Sequence, residues 1–126
     1  MTGYEYWSEL LSHTSIPLTR EVIGHLIQMD VASWPRFDER LLRWATRLKA
    51  PGLPTAILLN MPSDVLAEVR EQERWLALFD VTIFSCEVGC VKPEAAIYQR
   101  FLEALQVPTE EVLLIDDVED NIKAAT

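Results

Sequence analysis

The first fifty residues alternate between apolar and polar positions with the period of an α-helix. Three segments place their apolar side chains three or four residues apart, so that each segment has one apolar face. These faces comprise Tyr4, Trp7 and Leu11; Val22 or Ile23 with Leu26 or Ile27; and Leu41, Trp44 or Ala45, and Leu48. Thr19 is a suitable N-cap for the second helix, with Glu21 in its first turn. Residues 1–50 are therefore predicted to be helical, with Trp7, Trp34 and Trp44 as packing residues.

The pattern changes at residues 50–54, APGLP, where short apolar runs begin to alternate with amphipathic segments. The runs TAILLN, VTIFS and VLLID are continuously apolar, as expected of three buried strands. A helix after the first run is predicted to bury Val65, Leu66, Val69 and Leu76. A helix after the second run has Pro93 in its first turn and is predicted to bury Ile97, Phe101 and Leu105. VEDNIKAAT begins one more helix.

Strands that alternate with helices predict a parallel sheet with right-handed crossovers. The predicted fold class is therefore α/β. It consists of a partial Rossmann-like parallel sheet core in residues 51–126, preceded by the all-helical segment of residues 1–50.

Composition and charge exclude several classes of partner. The 126 residues carry a net charge of −9, and their basic residues are not clustered, so nucleic acid is not an expected partner. No apolar run approaches the roughly 20 residues that span a membrane. The first ten residues, MTGYEYWSEL, have neither the basic region nor the apolar region of a signal peptide, so export is not expected. Cys86 and Cys90 are spaced unlike zinc ligands and lie far in sequence from either histidine, so we interpret both as free thiols in a reducing, cytoplasmic compartment.

Polar residues follow each predicted strand. Asn60 follows the first, Lys92 lies in the loop after the second, and Asp116 and Asp117 follow the third. Because ligands of parallel α/β sheets bind at the carboxyl ends of the strands, these four residues are candidates for one site. Carboxylates suit Mg²⁺, and Mg²⁺ together with a lysine neutralises a phosphoryl group. The alternative is a solvated acidic turn at a helix start, where acids are also favourable; the pairing of two acids at a buried strand end favours the site.

Three segments resemble the haloacid dehalogenase-like (HAD) hydrolases, in the branch with a helical cap domain. AILLNMPSD is similar to the strand that usually ends in Ser or Thr followed by Asn. FSCEVGCVKPEAAIYQRFLEAL is similar to the segment that carries the family's lysine, and VLLIDDVEDNIKAA to its metal-binding acidic segment. The helical first third resembles the cap. Within the family, the resemblance is strongest to the group containing the N-terminal phosphatase domain of soluble epoxide hydrolase.

The resemblance implies a magnesium-dependent phosphatase that acts on a small phosphorylated or similar anionic substrate through an aspartyl-phosphate. In the family, the first Asp of a D-x-D motif is the nucleophile and the second is the general acid and base. Carried over by position, Lys92 holds the phosphoryl group, Asn60 is an amide of the substrate loop, and Asp117 is the direct magnesium ligand with Asp116 orienting the site.

The sequence departs from the family pattern in three places. D-x-D occurs nowhere, and the first aspartate of the chain, Asp30, lies in the helical segment. Leu59 stands where the family has Ser or Thr. The chain also resembles the interior of a family member with both ends removed. We therefore expect weak magnesium binding and little or no hydrolase activity from this chain alone.

Two further interpretations compete with the hydrolase. One is a non-catalytic interaction protein or remnant built on a HAD-like scaffold, with a dimer partner or a partner chain covering exposed sheet edges. The other is a signalling receiver domain, because VLLIDDVEDN also resembles the opening strand of response regulators. Only nine residues follow Asp117, whereas a receiver needs about a hundred more, so the receiver is the weakest interpretation.

Overall fold

The computed structural model describes residues 2–34, 38–72 and 74–126. Three helices come first along the chain: α1 Gly3–Ser12, α2 Arg20–Ser33 and α3 Glu39–Lys49. Thr2 and Glu5 form a capping box at the start of α1. The Thr19 side chain caps α2 by accepting a hydrogen bond from the Val22 N–H, and Glu21 lies in the first turn, so the N-cap prediction is confirmed. No helix in these ranges combines the length and apolar character needed to cross a membrane.

The faces that these helices bury differ in part from the predicted ones. Leu11 of α1 and Ile23 of α2 are buried as predicted. In α3 the prediction was wrong for Leu41, which is 62% exposed, and for Trp44, which is also exposed. Ala45 is half-buried instead. The apolar stripe of α3 is broad enough to allow two rotations of the helix, and a period of 3.6 residues does not choose between them.

The rest of the chain is built around a two-stranded parallel sheet. The elements are β1 Ala56–Leu59, α4 Ser63–Gln72, β2 Val81–Phe84, the short α5 Ser85–Val88, α6 Ala95–Leu105 and α7 Glu119–Ala125. Two 3₁₀ turns cover Trp75–Leu78 and Thr109–Glu111. The strands pair from Ala56 opposite Val81 to Leu59 opposite Phe84. The α/β fold class is therefore confirmed, while the division into residues 1–50 and 51–126 stays a prediction.

The sheet separates two apolar clusters, because side chains alternate between the two faces of a strand. Leu58 points into the first cluster, where Ile97, Tyr98 and Phe101 of α6 are buried. Ile57 and Leu59 belong to the second cluster, around Val65, Leu66 and Val69 of α4 and Phe84 of β2. The burial predicted for Ile97, Phe101 and the three α4 residues is confirmed.

Two details of the helix predictions are wrong. Helix α4 ends at Gln72, so Leu76 lies in the following 3₁₀ turn, from which it packs against the second cluster. Helix α6 begins at Ala95 after the N-cap Glu94, so Pro93 precedes the helix instead of occupying its first turn. Both errors concern element ends, which apolar periodicity specifies poorly.

The third predicted strand does not form among the described residues. Residues 112–116 pair with neither β1 nor β2. Val112 and Leu114 pack against the first cluster, whereas Leu113 and Ile115 are 82% and 66% exposed. An apolar run predicts the extended backbone of a strand, but a strand also requires a neighbour with which to exchange hydrogen bonds.

A contact at Gly3 holds α1 against α4. The Gly3 N–H donates a 2.8 Å hydrogen bond to Asp64 Oδ2, in the first turn of α4. A Cβ atom at Gly3 would lie 2.7 Å from that oxygen and 3.2 Å from Cγ1 of Ile27. Because real Cβ atoms do not approach oxygen so closely, a larger residue at this position would require the Asp64 carboxylate to shift away from its present contact.

We expect Gly3→Ala to destabilise the protein by about 1–2 kcal/mol, because Asp64 must move and its hydrogen bond is weakened. Gly24→Ala is the matched control. A Cβ there meets nothing within 4 Å, and alanine should stabilise the interior of α2 by about 0.5–1 kcal/mol. Urea unfolding of both variants measures the difference, and equal stabilisation by the two substitutions would contradict the assigned contact.

Candidate functional site

A buried ion pair lies where β1, the loop after α5 and residues 112–116 end together. The Lys92 ammonium donates a 2.6 Å hydrogen bond to Asp116 Oδ2. The two side chains are only 10% and 5% exposed. The structure thus brings the lysine and the first acid of the pair into contact at one edge of the sheet, as the strand-end argument requires.

Asp116 accepts several hydrogen bonds besides that from lysine. The Val118 N–H donates to Oδ1 at 2.9 Å, and Nδ2 of Asn121 lies 3.1 Å from Oδ1 and 3.2 Å from Oδ2. Burial by itself would raise the pKa of this carboxyl group. The hydrogen bonds from Lys92, Val118 and Asn121, together with the lysine charge, outweigh burial and hold the pKa of Asp116 below its usual value.

Asn60 fixes the backbone of the lysine rather than its side chain. Its Oδ1 accepts a 2.8 Å hydrogen bond from the Lys92 N–H, and its Nδ2 donates a 3.1 Å bond to the Lys92 carbonyl oxygen. The amide group therefore pairs with both polar backbone groups of one residue. Asn60 connects the end of β1 to the loop that carries the ammonium, and its role as a substrate-loop amide stays a prediction.

Asn121 is a site residue that the sequence did not reveal. It is buried in the first turn of α7, and its carbonyl oxygen accepts a 2.8 Å hydrogen bond from the Tyr98 hydroxyl of α6. Burial, and then the charge of Asp116, raise the pKa of Tyr98, so its hydroxyl stays protonated and remains a donor. The sequence offered no clear signal for this role, because Asp116 lies outside α7 and Asn near a helix start is equally common as a solvated residue.

Asp117 faces water, unlike its neighbour. Within the described ranges no group of three or more His, Cys, Asp or Glu residues could hold a metal ion. Two carboxylates, of which one is already bonded to Lys92 and Asn121, are fewer oxygen ligands than Mg²⁺ normally collects from a protein and its substrate. The residues described here therefore do not by themselves fit a magnesium ion, and the metal-binding roles of Asp116 and Asp117 stay predictions.

The edge of the sheet that carries Asn60, Lys92, Asp116, Asp117 and Asn121 is called the rim below. The described residues beside it offer no activated nucleophile. Leu59 is half-buried in the second apolar cluster. Ser85 is buried, and its hydroxyl oxygen accepts a 2.9 Å hydrogen bond from the Met61 N–H. Cys86 and Cys90 are free thiols, as interpreted from their spacing. Burial, followed by the charge of Glu87, raises the pKa of Cys86, which keeps it a thiol rather than a reactive thiolate.

Taken together, the fold and the rim define an α/β protein with a cation, two acids and two amides at the carboxyl edge of a parallel sheet. Such an edge can position an anionic group beside the ammonium. A model of the haloacid dehalogenase-like hydrolase family matches residues 5–126, so the chain belongs to this family. The recognition made from the sequence motifs is thereby confirmed.

Several curated proteins are similar over part of the chain. Bifunctional epoxide hydrolase 2 of Rattus norvegicus is 35% identical over 91 residues, which are 68% of this chain and 16% of that protein. The protein of the same name from Mus musculus is 33% identical over 95 residues, with the same coverage. Acyl-CoA dehydrogenase family member 10 of Mus musculus is 33% identical over 84 residues, or 64% of this chain and 7% of that protein.

The match thus spans about a sixth of the length of the epoxide hydrolases. No solved structure matches the chain.

The lowered pKa of Asp116 predicts how stability depends on pH. The unfolded chain, with a pKa near the usual 3.8, takes up a proton before the folded chain does as the pH falls. The stabilisation is therefore fully present above about pH 4 and is lost as the pH falls through the lowered pKa. We expect Asp116→Asn to lose about 3 kcal/mol at pH 7, because it leaves a buried ammonium without its carboxylate, and to lose less stability on acidification.

Urea unfolding between pH 3 and pH 7 measures this dependence. Asp117→Asn is the control, because its exposed side chain should change the free energy of unfolding by no more than about 0.5 kcal/mol. An acid dependence in Asp116→Asn as steep as in the wild type would contradict the assignment.

Proposed function

We propose that this chain supplies the lysine side of a HAD-type phosphatase site, in which Lys92 binds the phosphoryl group of a small phosphorylated substrate. One observation carries the proposal: the ammonium of Lys92 is buried beside Asp116 at the carboxyl edge of the sheet. A buried ammonium is suited to binding an anion, because its desolvated charge is strong and the contacts of Lys92 with Asp116 and Asn60 set its position in advance. Membership of the hydrolase family supports the same assignment.

In the proposed function, this chain alone does not hydrolyse its substrate. The sequence has no D-x-D motif and has Leu59 at the Ser or Thr position, so it lacks the nucleophile, the general acid and one oxygen-binding hydroxyl of the family pattern. Lys92 and Asn60 can hold and orient an anion but cannot attack phosphorus. The proposed cofactor is magnesium, which the family uses. The proposed location is the cytoplasm.

A second candidate is a non-catalytic interaction protein on the same scaffold. The exposure of Leu113 and Ile115 favours it, since two aliphatic side chains on the same exposed face of an extended segment are more common at a binding surface than in water. The two candidates differ in what the rim does: it binds a phosphoryl group in the first and serves only to hold the fold together in the second.

Inorganic phosphate distinguishes these candidates by calorimetric titration of the purified chain. We expect Asp116→Asn to bind phosphate more tightly than the wild type, because the lysine loses its carboxylate partner, and Lys92→Met to bind none. Asp117→Asn serves as a control for the general loss of one negative charge. Equal phosphate binding by the wild type, Asp116→Asn and Lys92→Met would contradict a role for Lys92 in binding an anion.

Turnover is tested separately with a generic aryl phosphate and magnesium. We expect no phenol release above the rate without protein, because the described residues at the rim include no activated nucleophile. Lys92→Ala identifies contamination, since activity from another phosphatase would persist in that variant. Turnover by the wild type that Lys92→Ala abolishes would show that this chain is a complete catalyst.

A further inference from the structure

An open groove of about 520 Å³ lies between the end of α4, the 3₁₀ turn Trp75–Leu78 and strand β2. None of the rim residues lines it. Its volume falls within the roughly 300–1,000 Å³ that is common for small-molecule sites. The groove is therefore large enough for a small organic ligand and is separate from the rim.

Two arginines bring positive charge to this groove. Arg70 in α4 and Arg74, which directly precedes the 3₁₀ turn, both line it. Nη1 of Arg70 lies 2.6 Å from Oε1 of Glu87, whereas no carboxylate of the described residues forms an ion pair with Arg74. The two guanidinium groups thus have one carboxylate partner between them. On a chain with a net charge of −9, this is a local excess of positive charge.

The guanidinium group of Arg70 is oriented in the free protein. Its Cζ lies 5.6 Å from the ring centroid of Phe84, and Glu87 holds it from another side. Phe84 is only 1% exposed, so the ring beneath the guanidinium is firmly packed. The Arg70 side chain itself remains 51% exposed and open to a ligand. An arginine that is already oriented loses less conformational entropy when it binds an anion.

The rest of the groove is mainly apolar. Leu76, Ala77 and Phe79 line it beside the arginines. The ring of Phe79 is held edge to face against Trp75, with the ring centroids 6.2 Å apart. A flat apolar ring can pack against such a wall, and an arginine can stack on its face. The groove therefore suits a ligand with one charged end and one aromatic end.

We propose that this groove binds a small aromatic carboxylate, with its carboxylate at Arg70 and Arg74 and its ring against Leu76 and Phe79. The planar fork of a guanidinium group matches the two oxygens of a carboxylate. Because Glu87 offsets one of the two positive charges, about one remains, which matches a singly charged carboxylate better than a doubly charged phosphate. This inference goes beyond the proposed function and uses none of the rim residues.

Titration of the ¹⁵N-labelled chain with 2-naphthoate, followed by NMR, tests the proposal. We expect saturable shifts of the amide signals of residues 74–79 and 82–84, with a Kd of about 1 mM or lower, and none of Lys92 or Asn121. The control ligand is 2-naphthamide, which has the same ring and no charge. It should bind at least about tenfold more weakly, because it loses the charge-assisted hydrogen bonds to arginine.

Matched variants test which residues hold the carboxylate. Arg74→Gln should weaken binding of 2-naphthoate at least about tenfold, whereas Arg40→Gln, which removes the same charge from α3, should not change it. Ala77→Glu places a carboxylate in the groove and should abolish binding, while the uncharged Ala77→Gln should retain it. Arg40, Arg74 and Ala77 are exposed, so none of these changes should alter unfolding by urea.

Three results would overturn the proposal. Equal affinities for 2-naphthoate and 2-naphthamide would show that the arginines do not bind the carboxylate. Unchanged affinity in Arg74→Gln together with retained binding in Ala77→Glu would place the ligand elsewhere. Shifts of Lys92 and Asn121 without shifts in the groove would assign the carboxylate to the rim. Since the phosphate titration of the proposed function uses variants of the rim alone, failure of the groove and failure of the phosphatase assignment are distinguishable.

Discussion

The buried ion pair between Lys92 and Asp116 is the interaction on which the rim depends. Removal of two charges from water costs several kcal/mol per ion, and their attraction offsets that cost only when the geometry is good and the remaining hydrogen-bonding groups are satisfied. Here the 2.6 Å contact is supplemented by the Val118 N–H and the Asn121 amide, which occupy the other carboxylate positions. The ion pair is stable because the hydrogen bonds from Val118 and Asn121 satisfy the rest of the Asp116 carboxylate.

The same pair has a structural consequence for the segment that precedes it. Residues 112–116 pair with no strand in the described part of the chain. Their position is determined instead by the packing of Val112 and Leu114 and by the bonds of Asp116. Asn60 extends this connection to β1 through the Lys92 backbone. Side-chain contacts at the rim therefore help to set the position of residues 112–116 relative to β1, with which they do not pair in the described structure.

Much of the fold was predictable from sequence because burial on one helix face or along a short strand leaves a periodic pattern. β1, β2 and the inward face of α6 follow from it. The unpaired state of VLLID could not be predicted. An apolar run indicates that a segment is buried, but it does not indicate whether another strand is present to pair with it. Asn121 was missed for a related reason. Its role depends on the rotation of α7 that directs its amide to Asp116, and the spacing of residues in the sequence does not predict that rotation.

The two adjacent aspartates illustrate how backbone geometry resolves an apparent conflict in the sequence. Neighbouring carboxylates would repel if they shared one environment, but successive side chains of an extended segment point to opposite sides. Asp116 accordingly points inward to Lys92, while Asp117 is exposed to water, which screens its charge. The pair DD is therefore compatible with a stable fold, because Asp116 neutralises the buried ammonium while Asp117 stays in water. Any anion that approaches Lys92 must then compete with Asp116, so a cation or further donors at the rim would be required for tight binding.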